Sequence, residues 1–111
     1  TTAELRKGLP ATANLKNPVD VIGDARGDRY RCALTATLSD PGVDGACVIL
    51  TPQSMTPIEE VAEDVARLAQ ETDKPIYASF MGGTDVAPAV QRLNGARIPH
   101  YPIPEDLVAA F

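Results

Sequence analysis

Gly45-Ala46-Cys47-Val48-Ile49-Leu50, answered at Ile76-Tyr77-Ala78-Ser79-Phe80 by a second apolar run, carries the pattern that decides the fold. The first run is apolar without alternation, as in a strand of a parallel sheet covered on both faces. Between the two lies Thr56-Pro57-Ile58-Glu59, which reads as a capping box with proline at the first helical position. The helix it opens places Ile58, Val61, Ala62, Val65, Ala66, Leu68 and Ala69 on one stripe, opposite Glu60, Glu63, Asp64 and Arg67. Lys74-Pro75 closes it. A strand, a helical crossover and a second strand define a βαβ unit.

The pattern repeats outward from that unit. Upstream, Val19-Asp20-Val21-Ile22 is a short β-rich run ending at Gly23, and Tyr30, Ala33, Leu34, Thr37 and Leu38 recur at helical spacing until Asp40-Pro41-Gly42 breaks the helix. Downstream, Met81-Gly82-Gly83 turns the chain. Val86, Ala89, Val90 and Leu93 mark a helix that tolerates Pro88 only in its first turn. Ile98-Pro99-His100-Tyr101 reads as a short edge strand, because Pro99 has no N–H for a central ladder. Pro104 to Phe111 forms a closing helix, and Thr1 to Gly8 a short opening one that leads through a connector to Lys16. The expected fold is a small doubly wound α/β domain, with about four parallel strands and helices on both faces. Residues 1–16 are the expected helix and connector, and residues 17–111 the domain proper.

Composition narrows the function. Ten Lys+Arg against fifteen Asp+Glu leave the 111-residue chain at −5. A nucleic-acid surface would be basic, and so would a binder of anionic membranes. Neither partner is expected. Hydrophobic residues at 44% provide for a folded core, while no apolar run is long enough to span a bilayer. The chain opens Thr-Thr-Ala-Glu, without Met and without a signal sequence, and is read as a cytoplasmic piece of something longer. Cys32 and Cys47, fifteen residues apart, and one histidine cannot assemble a zinc site. Both cysteines are expected as buried, reduced side chains.

Chemistry in an open parallel sheet sits at the carboxyl ends of the strands. Four loops qualify: Gly23–Asp28, Thr51–Thr56, Met81–Asp85 and Pro102–Glu105. The second is the most informative, since hydroxyls and free backbone N–H groups there precede a long helix whose N-terminus favours an anion such as phosphate. A plain capping turn at Thr56 explains the same residues. Gly82 and Gly83 either let a backbone approach a ligand or interface, or supply a turn with positive φ. Neither GxGxxG nor GxxxxGK[ST] occurs, Ser54 and Ser79 lack a nucleophile elbow, and His100 stands between prolines as a surface or interface side chain. No residue is expected to be catalytic, and no metal site is expected.

Six short motifs in order carry a resemblance. Asn17-Pro18-Val19-Asp20-Val21-Ile22-Gly23-Asp24 with Arg29-Tyr30, then Asp40-Pro41-Gly42-Val43-Asp44-Gly45, Leu50-Thr51-Pro52-Gln53, Lys74-Pro75, Phe80-Met81-Gly82-Gly83 and Ile98-Pro99 with Pro104-Glu105 are similar to NDP-forming acyl-CoA synthetases of the ADP-forming acetyl-CoA synthetase type. The segment resembles the flavodoxin-like ligase domain of that family and of succinyl-CoA synthetases. The resemblance implies an enzyme using ATP or ADP, Mg and CoA. In it, a histidine of a neighbouring domain carries the phosphoryl group between an acyl phosphate and the nucleotide of an ATP-grasp domain. This domain would supply one helix N-terminus, with Gln53, Ser54, Met55 and Thr56 around the phosphate. Succinyl-CoA synthetases carry Gly-Gly where Gln53-Ser54 align, which implies a contribution from side chains here. The isolated segment is expected to turn over nothing. Two alternatives stand beside it: a ligand-sensing module fused to an acetyltransferase, and a pure assembly surface.

Overall fold

A computed structural model describes residues 1–54 and 56–111. In chain order the elements are α1 (Thr2–Gly8), α2 (Gly27–Leu38), β1 (Ala46–Leu50), α3 (Ile58–Glu71), β2 (Ile76–Phe80), a 3-10 turn (Gly83–Val86), α4 (Ala87–Gly95) and α5 (Pro104–Ala110). The decisive stretch behaves as its pattern requires. β1 and β2 pair in parallel, Ala46 opposite Ile76 through Leu50 opposite Phe80, with α3 as the crossover.

Alternation within the strands sorts the two faces of the sheet. Val48, Leu50, Ala78 and Phe80 face a single core shared with Val61, Ala62 and Val65 of α3, Leu34 and Leu38 of α2, and Ala89 and Leu93 of α4. The opposite face carries Cys47, Ile49, Tyr77 and Ser79. There α5 packs on both strands, with Phe111 edge-on to Tyr77 at 5.2 Å between ring centres. Helices therefore cover both faces, but unequally: Cys47 is exposed, and Ile49 keeps 46% of its surface in water. Cys32 is only half-buried. The expectation of two buried cysteines is corrected on both counts: the α5 face of the sheet is thinly covered at Cys47, and Cys32 lies on α2 where α1 covers it only in part, beside Glu4 and Gly8.

Among the described residues the sheet has two strands rather than about four. Val19–Ile22 is not a strand, and the reason lies in its backbone hydrogen bonds. Asp20 N–H donates to the Asn14 carbonyl, Ile22 N–H to the Asp20 carboxylate at 2.8 Å, and the Val21 carbonyl accepts from the Arg29 guanidinium. Groups engaged by local partners are not free for a ladder. At the other edge, Ile98–Tyr101 shortens to one parallel bridge between Ala78 and His100. Ala78 donates to the Pro99 carbonyl and accepts from Tyr101 N–H, each at 2.9 Å. The next donor, Phe80 N–H, turns instead to His100 Nε2, also at 2.9 Å, so the ladder stops there.

Candidate functional site

The carboxyl ends of β1 and β2 bring two of the expected loops into contact. Gly82, at φ +146°, lies so close to Pro52 that an added Cβ would stand 2.6 Å from the proline ring. Only glycine combines that backbone angle with that approach. Gly83 follows at φ +57° with open space around it, so its glycine serves the turn rather than a close contact. Gln53 and Ser54 are exposed and Thr56 is half-buried. Met55 lies outside the described residues.

Thr56 does not cap α3. Its N–H donates to the Gln53 carbonyl at 3.0 Å, which holds it in the loop, and Pro57 takes the capping position with no side-chain bond to the helix end. The first bond of the helix runs from Val61 N–H to the Pro57 carbonyl. The amides of Ile58, Glu59 and Glu60 precede it and have no acceptor within the helix. The capping-box expectation is thus corrected by one residue. Among the described residues these donors have no acceptor, and they stand at the N-terminus of a fourteen-residue helix, where the aligned peptide dipoles favour negative charge. Glu59 and Glu60 occupy this first turn, but the Glu60 carboxylate lies against Gly27, where α2 begins.

A cavity of about 160 Å³ opens beside this helix end. Residues 19–23 of the connector line it together with Tyr30 of α2 and with Ile49, Thr51, Gln53 and Thr56 around the end of β1. Its polar groups are hydroxyls and an amide, plus the Asp20 carboxylate. Burial, and secondarily the charge of Asp20, push the Tyr30 hydroxyl above its ordinary pKa, so it remains a neutral donor. The sequence reading named the Gly23–Asp28 and Thr51–Thr56 loops but missed Asp20, Tyr30 and Thr51 as parts of one cavity. A strand over Val19–Ile22 would have hidden that wall; the Asn14, Asp20 and Asp24 side chains around it are the turn-forming signal that could have revealed it.

Two other groups belong elsewhere. His100 is half-buried rather than a free surface side chain, and accepting Phe80 N–H requires its Nε2 to be unprotonated. Burial lowers its pKa. Asp64, expected on the solvent face of α3, is buried with 4% of its surface exposed, and pairs with Arg31 of α2 at 2.9 Å and Arg67 at 2.5 Å. It ties two helices together. A larger open groove between α1 and α2, lined by Glu4, Arg31, Cys32 and Asp40 among others, includes the loop that precedes β1 and so lies away from the strand carboxyl ends.

The class is therefore an α/β domain whose candidate ligand site lies where parallel strands end and a helix begins. The Ligase-CoA domain model matches residues 1–111, and the chain belongs to that family. It is 43% identical over 115 residues to the alpha subunit of the ADP-forming acetate–CoA ligase II of Pyrococcus furiosus, covering 99% of this chain and 25% of that one. With the ADP-forming acetate–CoA ligase I of Archaeoglobus fulgidus it shares 34% over 111 residues, all of this chain and 15% of the other. The apo dinucleotide-forming acetyl-coenzyme A synthetase 1 of Ca. Korarchaeum cryptofilum superposes with a TM-score of 0.89 at 34% identity, over 97% of this chain and 24% of that one. A second structure of that synthetase, in complex with phosphate and ADP, matches equally well. The chain spans a quarter or less of the length of these relatives. Among the described residues, no helix is long and apolar enough to cross a membrane.

Proposed function

We propose that this chain is the ligase domain of an ADP-forming acyl-CoA synthetase, which interconverts acyl-CoA, ADP and phosphate with acid, CoA and ATP. Its part is to hold the phosphoryl group that a histidine of a neighbouring domain carries towards an ATP-grasp domain. The observation that carries this reading is the start of α3, which has no side-chain cap and whose first amides have no acceptor among the described residues, close to the end of β1 and to Gln53, Ser54 and Thr56. A phosphoryl group there would accept from the backbone N–H groups of Ile58 to Glu60 and from the Thr56 hydroxyl. Such charge-assisted bonds are shorter and stronger than neutral ones. The solved relative in complex with phosphate and ADP supports the ligand class.

The contribution we assign to this chain is positioning and charge stabilisation of the phosphoryl group. Nucleotide, Mg and CoA would be bound chiefly by the other domains. In the full-length protein, replacing Ser54 and Thr56 together by alanine should slow phosphoryl transfer. Each lost bond to a charged group is worth about 1.5–3 kcal/mol, or roughly tenfold to a hundredfold in rate. Rapid-quench transfer from labelled ATP measures this, and an unchanged rate in the double variant overturns the assignment.

A further inference from the structure

The cavity wall formed by residues 19–23 is held in a conformation it would not choose alone. Ile22 sits at φ +72°, in the left-handed region that a β-branched side chain strongly disfavours. Strain of this kind persists only where the surroundings over-determine it. Two bonds are local: Ile22 N–H to the Asp20 carboxylate at 2.8 Å and Ala25 N–H to the Ile22 carbonyl at 2.9 Å. Beyond the turn, Val19 and Val21 pack against Leu5, Leu9 and Ala33, and a polar tie comes from helix α2. Arg29 Nη1 donates to the Val21 carbonyl at 3.3 Å and pairs with Asp24 at 2.5 Å, so it grips the turn on both sides of Ile22. The Arg29 side chain is largely covered, at 23% exposure, which keeps it in place.

We propose that Arg29 is a positioning residue for the strand-end site: it clamps the Val21–Asp24 turn against the cavity and so shapes the second wall around the phosphoryl group. The inference rests on the phosphate reading of that site. Without the clamp, Ile22 relaxes towards extended backbone and the wall retracts, which weakens the fit for phosphate without touching the chemistry.

The test uses the full-length synthetase in the acyl-CoA to ATP direction. Arg29→Met should raise the KM for inorganic phosphate by about tenfold while changing kcat much less, since displacement of a supporting wall costs fit. Hydrogen exchange of the amides of residues 20–25 should quicken, while those of β1 and α3 keep their protection. Ile22→Gly added to Arg29→Met should recover most of the loss, because glycine takes the left-handed conformation freely. Asp24→Asn, which breaks the ion pair but leaves the bond to Val21, should give a smaller rise in a protein that folds normally. A KM unchanged in both Arg29→Met and Asp24→Asn overturns the clamp. So does a rise that Ile22→Gly fails to reverse, since the guanidinium would then act on the ligand by its charge. If the Ser54 and Thr56 double variant transfers normally, the phosphate reading itself falls; if only the Arg29 series is silent, the clamp falls alone.

Discussion

The β1–α3–β2–α4 unit and the connector from Leu9 to Arg26 are built on opposite principles. In the unit, backbone groups pair with each other in ladder and helix, and stability comes from Leu50, Val61, Ala78, Phe80 and Leu93 packed out of water. In the connector there is no regular element, and its fixed shape depends on single polar side chains: Asn14 bonds the Pro18 carbonyl and Lys16 N–H, Asp20 bonds Ile22 N–H, and Arg29 reaches in from α2. Apolar burial is non-directional and tolerates repacking, whereas hydrogen-bonded turns depend on particular atoms. The unit should therefore answer to changes of volume, and the connector to changes of chemistry.

The sharpest way to break that comparison is to delete volume in each region. Leu50→Ala empties a fully buried site and should cost about 3–4 kcal/mol, lowering Tm by roughly 15 °C for a domain of this size. Val19→Ala, at a half-buried position of the connector, should cost less than about 1 kcal/mol. Thermal unfolding of the two variants compares them directly. Equal losses would mean that the connector, too, is held by its apolar contacts with Leu5 and Ala33.

The same contrast explains what was legible in the sequence. Periodicity reports burial, so β1, β2 and helices α2 to α5 stand where their apolar spacing puts them, within a few residues at their ends. Val19-Asp20-Val21-Ile22 has the composition of a strand, yet Asp20 and Arg29 engage its backbone, and composition does not register a bond made by a residue eight positions away. Asp64 shows the converse failure. A carboxylate on a helix stripe reads as solvent-facing, and only the meeting of Arg31 and Arg67 around it allows burial. The α3 N-terminus was legible as a location, because Thr56-Pro57 announces a helix start. That the helix has no side-chain cap was not, since it turns on where the Thr56 N–H points.

Glycine substitutions sharpen the comparison at the point where the two strand-end loops meet. Gly82→Ala combines positive φ with a Cβ placed 2.6 Å from the Pro52 ring, so it should cost about 1–3 kcal/mol and shift the Thr51–Thr56 loop. Gly83→Ala has open space and only the backbone term, about 1 kcal/mol. Urea midpoints of the two variants should differ in that order. The reverse order would show that the Gly82–Pro52 approach relaxes without loss.

The smallest effect expected concerns His100, which brings the connector's device into the sheet: a side chain occupies the ladder position that backbone would fill. Its Nε2 must stay unprotonated to accept Phe80 N–H, and burial holds its pKa below the ordinary value of about 6.5. As pH falls, the unfolded chain therefore takes up this proton first, and the bond contributes fully only above about pH 6.5. Stability should decline as pH drops from there through the lower folded pKa. The carboxylates of Glu4, Asp24, Asp40 and Glu63, held down by their hydrogen-bond partners, lose their contributions only in more acid solution. Urea unfolding between pH 8 and about pH 5 thus isolates the histidine. The midpoint should fall in the native sequence and stay level in His100→Gln. A native midpoint that is flat across this range would mean that the imidazole bond adds nothing to the sheet edge.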